Sequence, residues 1–185
     1  MPPPLESFLP STTSRVDRAR AIVVLTTCGV VILATLAIIL FWVFTGSLED
    51  TSTITAGFVL LLMMLGLVAL VRRGNVRLAL WLLIVLLALI ILEISVEYGV
   101  STLSSSAFLL PILLAACGAG LWAGLFLALV GSTGMWVIAF ASANGTLQPW
   151  IPYQVSNLTF DAPFLTILFF MIAVIVGVWS REMAR

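Results

Sequence analysis

Two glutamates four positions apart, Glu93 and Glu97, are the residues of this sequence whose types and spacing best fit a chemical site. On a helix, residues at positions i and i+4 share one face, so their side chains are neighbours. Neighbouring carboxylates tend to share a proton or a cation. The pair therefore predicts a proton- or cation-responsive site, with the alternative that both acids lie in water where a helix ends.

The remaining residue inventory excludes several kinds of catalytic centre. The sequence has no His, no Lys and two Cys. Without His there is no His-dependent triad and no His-ligated haem, and without Lys there is no Schiff-base chemistry. Two cysteines are too few for a zinc or iron–sulfur site. With no phosphate-binding loop and no basic strip for nucleic acid, the sequence predicts a non-enzymatic protein without metal, cofactor or nucleic-acid partner.

The composition indicates the elements that must position these residues. Of 185 residues, 62% are apolar and 9% are charged, and the mean hydropathy is +1.25. A soluble domain is nearer half apolar and one quarter charged. The length is enough for about six membrane spans of roughly 20 residues each. The sequence therefore predicts an all-α membrane protein with the lipid bilayer as its main partner.

Six apolar runs predict six transmembrane helices in one domain, 15–185, after a disordered tail, 1–14, that is rich in Pro, Ser and Thr. The predicted helices cover about 21–45, 53–71, 77–97, 102–117, 120–142 and 162–180. The stretch 107–143 leaves two interpretations open. It forms either two spans joined by a glycine turn or a re-entrant hairpin that other parts of the protein cover.

The arginines predict the orientation. They are Arg15, Arg18, Arg20, Arg72, Arg73, Arg77, Arg181 and Arg185. With six spans, all eight lie on one side, and the positive-inside rule makes that side the cytoplasm. That side carries eight arginines and three acids, a net charge of +5, and the other side carries five acids, a net charge of −5. Both termini are therefore predicted to be cytoplasmic.

The turn between the second and third predicted helices is the most basic short segment. Arg72, Arg73 and Arg77 lie within six residues there. Each arginine near an anionic lipid surface contributes about 1 kcal/mol of attraction. The turn therefore predicts cytoplasmic anchoring by lipid, or docking of a partner, and the two roles are compatible.

Small residues between the fourth and fifth predicted helices indicate close packing. Gly118, Gly120 and Gly124 let helix backbones approach each other. The spacing of Gly120 and Gly124 also matches the four-residue repeat of helix dimers, so association with a second copy of the chain remains open.

Three segments resemble the N-terminal six-helix membrane regions of bacterial sensor proteins, which precede histidine kinase or cyclase modules. They are LVALVRRGNVRLALWLLIVLLALI, GVSTLSSSAFLLPILLAACGAGLWAGLFLALV and WSREMAR. The resemblance is one of layout and covers residues 15–185. It implies a multi-pass sensory or regulatory module in the bacterial cytoplasmic (inner) membrane, passing a signal to a cytoplasmic or membrane partner. In that family the sixth helix continues into an output domain, whereas five residues follow the sixth apolar run here.

Two other functions remain open. One is the substrate-binding membrane subunit of an energy-coupling-factor-type importer, which these six helices and the glycine-rich stretch 115–134 also resemble. The small number of polar residues on the outer side argues against the importer hypothesis, because a ligand pocket needs convergent polar groups. The other is a structural subunit of a larger membrane complex.

Overall fold

The computed structural model describes residues 15–45, 51–100, 103–148 and 157–183, so the predicted tail 1–14 lies outside the described residues. All regular secondary structure within these ranges is helical, which confirms the predicted all-α class. The helices are α1 (Arg15–Thr45), α2 (Thr51–Arg72), α3 (Val76–Tyr98), α4 (Leu103–Ser106), α5 (Leu109–Gly118), α6 (Leu121–Ala143) and α7 (Ala162–Met183). A π-helical turn, Asn157–Asp161, precedes α7.

Five helical stretches among the described residues are long and apolar enough to cross a membrane. They are Val16–Phe41, Thr55–Arg72, Val76–Tyr98, Leu121–Ala143 and Thr159–Glu182. Many large apolar side chains on these helices are exposed, including Leu33, Leu62 and Phe126. Contact of so much apolar surface with water is unfavourable, whereas contact with lipid chains is favourable. These features are those of a multi-pass helical membrane protein.

The fourth predicted helix, 102–117, is divided into two in the structure. Leu103–Ser106 forms the short helix α4, and Leu109–Gly118 forms α5 after a turn at Ala107 and Phe108. Pro111 lies in the first turn of α5, a position where its missing N–H group costs no hydrogen bond. Proline therefore helps to begin a new helix here, rather than kinking a continuous one. At a rise of about 1.5 Å per residue, α5 is only about 15 Å long, roughly half the hydrocarbon thickness of a bilayer.

The chain divides into two compact units, Met1–Leu83 and Ile84–Arg185, with the division inside α3. In the first unit, α1 and α2 pack against each other. Each contributes a buried stripe with helical spacing: Ala21, Val24 and Cys28 on α1, and Met64, Leu67 and Val71 on α2. Positions i, i+3 and i+7 lie on one face of a helix, so the stripes follow directly from the sequence period.

In the second unit, α5, α6 and α7 pack against one another around two aromatic rings. Phe108 and Phe169 are both fully buried, and their ring centroids are 5.6 Å apart. An alanine-like Cβ at Gly124 would lie 2.8 Å from the Cβ of Ala116, so only glycine permits this approach of α6 to α5. The indole Nε1 of Trp136 on α6 donates a hydrogen bond to Thr166 Oγ1 on α7 at 3.1 Å.

Candidate functional site

The basic turn between α2 and α3 is held by a complete helix cap. Gly74, with φ +85°, occupies the left-handed conformation that favours glycine after a helix end. Its N–H donates to Val71 O at 2.9 Å, and the N–H of Asn75 donates to Leu70 O at 3.1 Å. These are the two bonds of a Schellman motif. Because Asn75 O already accepts the N–H of Ala79, α3 begins directly after the cap.

This short turn brings Arg77 to the first turn of α1. Arg77 Nε lies 3.8 Å from Asp17 Oδ1, and Arg20 Nη1 donates to the same oxygen at 3.1 Å. Asp17 therefore bridges two guanidinium groups from different helices. We call Asp17, Arg20, Asn75 and Arg77 the Asp17 cluster. Its carboxylate also lies in the first turn of α1, where the helix dipole favours negative charge.

The Asp17 cluster borders an open pocket with a volume of about 390 Å³. The lining residues are Asp17, Gly74, Asn75, Val76, Arg77 and Leu78. The Arg77 side chain is 80% exposed, whereas that of Asp17 is 27% exposed. The arginine therefore presents most of its N–H donors to the pocket and its surroundings. Such an arrangement favours an anionic group with several acceptor oxygens.

The other two arginines of the turn, Arg72 and Arg73, are exposed as well. Arg72 is the basic residue in the last turn of α2, where positive charge is favourable near the helix C-terminus. The structure therefore presents three arginines at one turn, of which Arg77 alone lines the pocket.

Glu93 and Glu97 lie on the exposed side of α3. Neither forms an ion pair with any residue in the described ranges. Between them, Ser95 faces the opposite way and is fully buried. Its hydroxyl donates to Ile91 O at 2.8 Å and accepts from Ser105 Oγ at 3.3 Å. The structure thus gives the two glutamates a common exposed face and joins α3 to α4 through serines on the other face.

We expect Glu93→Gln to change a pH or cation response more than Glu97→Gln. Both lie in the apolar stretch Val76–Tyr98, and Glu93 is one helical turn, about 6 Å, further from its end. A carboxylate deeper in the membrane is costlier to leave charged and unpartnered. The measurement is the thermal unfolding midpoint of each variant across acidic and neutral pH, with and without a divalent cation. Equal and negligible effects would identify both as surface acids.

The predicted packing glycines have different surroundings. Gly124 lies against Ala116, as described above, whereas Gly120, with φ +103°, forms the turn between α5 and α6 and has no atom within 4 Å of an added Cβ. Gly118 is the last residue of α5. At this end of the helix, the Ser180 hydroxyl of α7 donates to Cys117 O at 3.3 Å.

Sequence reasoning did not select Asp17 or Ser105 as site residues. The spacing of Asp17 and Arg20, at i and i+3, was a readable signal of a local ion pair. Nothing in the sequence pairs Asp17 with Arg77, which lies 60 positions later. The second partner depends on the packing of the first unit.

Within the described ranges, no three His, Cys, Asp or Glu side chains come together as metal ligands would. The arrangement of charged groups at the Asp17 cluster is thus the most developed polar site in the described part of the chain. Comparison with protein-family models, with curated proteins and with solved structures finds no match to this chain.

Proposed function

We propose that this chain is a non-enzymatic sensory or regulatory membrane module that passes a signal to a cytoplasmic or membrane partner. The observation that carries the proposal is the turn between α2 and α3. It is held by a Schellman cap, tied to α1 through Asp17, and presents the exposed side chains of Arg72 and Arg73. A rigid, charged turn next to a membrane is suited to docking an acidic partner surface.

The proposal includes the orientation predicted from the arginines. In it, α4 and α5 together form one crossing over residues 103–118, and α1, α2, α3, α6 and α7 form the other five. Both termini then lie in the cytoplasm of a bacterial cell. The segregation of eight arginines to one side is what supports this layout.

Signal transfer in such a module requires two packings of the helices that the stimulus and the partner favour differently. We assign such a change to the interface of α6 and α7, where a side-chain hydrogen bond and a close glycine contact join the two helices. The Trp136–Thr166 hydrogen bond crosses it, while Gly177 packs directly against Leu121. A shift of α7 would move Arg181, in its last turn, relative to the membrane surface.

The test has two stages, and the first establishes the orientation. Asn75→Cys and Asn144→Cys are made separately in a chain carrying Cys28→Ala and Cys117→Ala. Both asparagines are exposed, and they lie at turns predicted to face opposite sides. In intact cells, a membrane-impermeant maleimide should label the variant at position 144 and not the variant at position 75. Labelling at position 75 in intact cells would contradict the proposed orientation.

The second stage identifies the partner. A photo-crosslinking amino acid is placed at Asn75 in the host's own membranes, with the same amino acid at Asn144 as the matched control. Crosslinking at position 75 to a protein with a kinase or cyclase domain supports the proposal. Crosslinking to ATP-hydrolysing subunits would indicate an importer instead. Structural membrane subunits as partners, or no product above the control, would likewise contradict a signalling role.

A further inference from the structure

The pocket at the Asp17 cluster lies beside the first residues of α1 and α3, at the ends of two long apolar segments. Asp17 lies four residues before Ala21, where the first apolar run begins, and Arg77 is the second residue of the apolar stretch Val76–Tyr98. Both therefore lie at the ends of segments that are long and apolar enough to span a membrane, and at such ends the hydrocarbon gives way to the headgroup region. This placement follows from the two segments alone and does not depend on which side of the membrane they face.

The Asp17 cluster contains two guanidinium groups and one carboxylate, so its net charge is positive. Arg20 Nη1 donates to Asp17 Oδ1 at 3.1 Å, a charge-assisted hydrogen bond of ordinary length. The distance from Arg77 Nε to the same oxygen is 3.8 Å, beyond hydrogen-bond length. The guanidinium of Arg77 is therefore attracted to the carboxylate without using its donors on it. One positive charge, with its N–H groups, is available at the pocket wall.

The other lining groups fit a phosphate. The exposed amide side chain of Asn75 can donate from its NH₂ group beside Arg77. Val76 and Leu78 provide apolar wall, against which the first carbons of a glycerol ester can lie. A volume of about 390 Å³ is ample for a phosphodiester and its attached glycerol.

We propose that this pocket binds the phosphate group of an anionic phospholipid headgroup, held by Arg77 and Asn75. A phosphodiester carries one negative charge, and Asp17, Arg20 and Arg77 together carry one more positive charge than negative. A zwitterionic headgroup carries the same phosphate but adds a quaternary ammonium. Because that headgroup has no net charge, it gains less from the net positive charge of Asp17, Arg20 and Arg77. The pocket should therefore prefer phosphatidylglycerol to phosphatidylcholine. This inference goes beyond the proposed function and stands without it.

The experiment titrates the purified full chain in neutral detergent with three probes: short-chain phosphatidylglycerol, short-chain phosphatidylcholine and inorganic phosphate. Binding is followed by native mass spectrometry and by the rise in thermal unfolding midpoint. We expect phosphatidylglycerol to bind about tenfold more tightly than either other probe, because only it combines the phosphate, the net negative charge and the glycerol ester. Equal binding of phosphatidylcholine, or of inorganic phosphate, would overturn the assignment to an anionic lipid.

Two arginine variants test the site itself. Arg77→Gln should weaken phosphatidylglycerol binding about tenfold, whereas Arg181→Gln, at another exposed arginine in the last turn of a span, should leave it within about twofold. Because the Arg77 side chain is 80% exposed, its loss should not prevent folding. Arg77→Lys keeps the charge without the planar donor fork and should bind with intermediate affinity. Equal loss in Arg77→Gln and Arg181→Gln would mean general electrostatic attraction and would refute the pocket.

Discussion

Replacing Phe108 with alanine is expected to lower the free energy of unfolding by about 3 kcal/mol. The ring is fully buried, packs against Phe169 with centroids 5.6 Å apart and the ring planes tilted by 32°, and fills the space left by the absent side chain of Gly131. A buried Phe→Ala change costs about 3–5 kcal/mol in soluble cores. We expect the lower end, because unfolding within a membrane transfers the ring to lipid rather than to water. Denaturant titration in detergent micelles measures the change.

Two comparisons separate cavity formation from a general loss of apolar surface. Phe126→Ala removes the same group from a side chain that is 63% exposed, and it should cost less than about 1 kcal/mol. Adding Gly131→Val to Phe108→Ala places new atoms in the vacated space, so the double variant should be more stable than the sum of the single changes predicts. Strict additivity would show that Gly131 and Phe108 are not in contact.

Gly177→Ala is expected to destabilise the protein by about 2 kcal/mol. A Cβ at position 177 would lie 2.9 Å from the Cα of Leu121, which is backbone and cannot rotate away. The two helices α6 and α7 would have to separate. This steric cost outweighs the gain in helix propensity from glycine to alanine, which is at most about 1 kcal/mol. The measurement is again the free energy of unfolding in detergent.

The control for this change is Gly66→Ala in α2. An added Cβ there meets no atom within 4 Å, so the same chemical change should be neutral or slightly stabilising. If the two variants were equally stable, the close approach of α7 to Leu121 would not exist in the folded protein. A large loss at Gly66 would instead point to contacts with a second copy of the chain.

Where an apolar run ends in charged residues and glycine, the helix boundary can be predicted from the sequence. The expected second and third helices, 53–71 and 77–97, lie within two residues of Thr51–Arg72 and Val76–Tyr98. The Arg-Gly-Asn turn stops one helix and starts the next. By contrast, α1 begins at Arg15 rather than near residue 21. The apolar run begins at Ala21, but the charged residues before it do not prevent the helix from extending further.

The fourth segment was harder to predict, because hydropathy does not distinguish one apolar helix from two short ones. The break at Ala107 and Phe108 depends on tertiary packing. Phe108 turns inward onto Phe169, which is 61 residues away. Likewise, only part of the Asp17 cluster can be predicted from the sequence. The i,i+3 spacing predicts the ion pair of Asp17 with Arg20, whereas the contact with Arg77 depends on how the first unit folds.

The Schellman cap at Gly74 has a consequence for synthesis. The cap bonds, together with the Arg73 N–H to Ala69 O bond, join groups no more than five residues apart. Structure built from such neighbouring contacts forms quickly, since little chain entropy is lost in closing it. The turn between α2 and α3 can therefore form while the nascent chain is still emerging from the ribosome, before α6 and α7 have been translated.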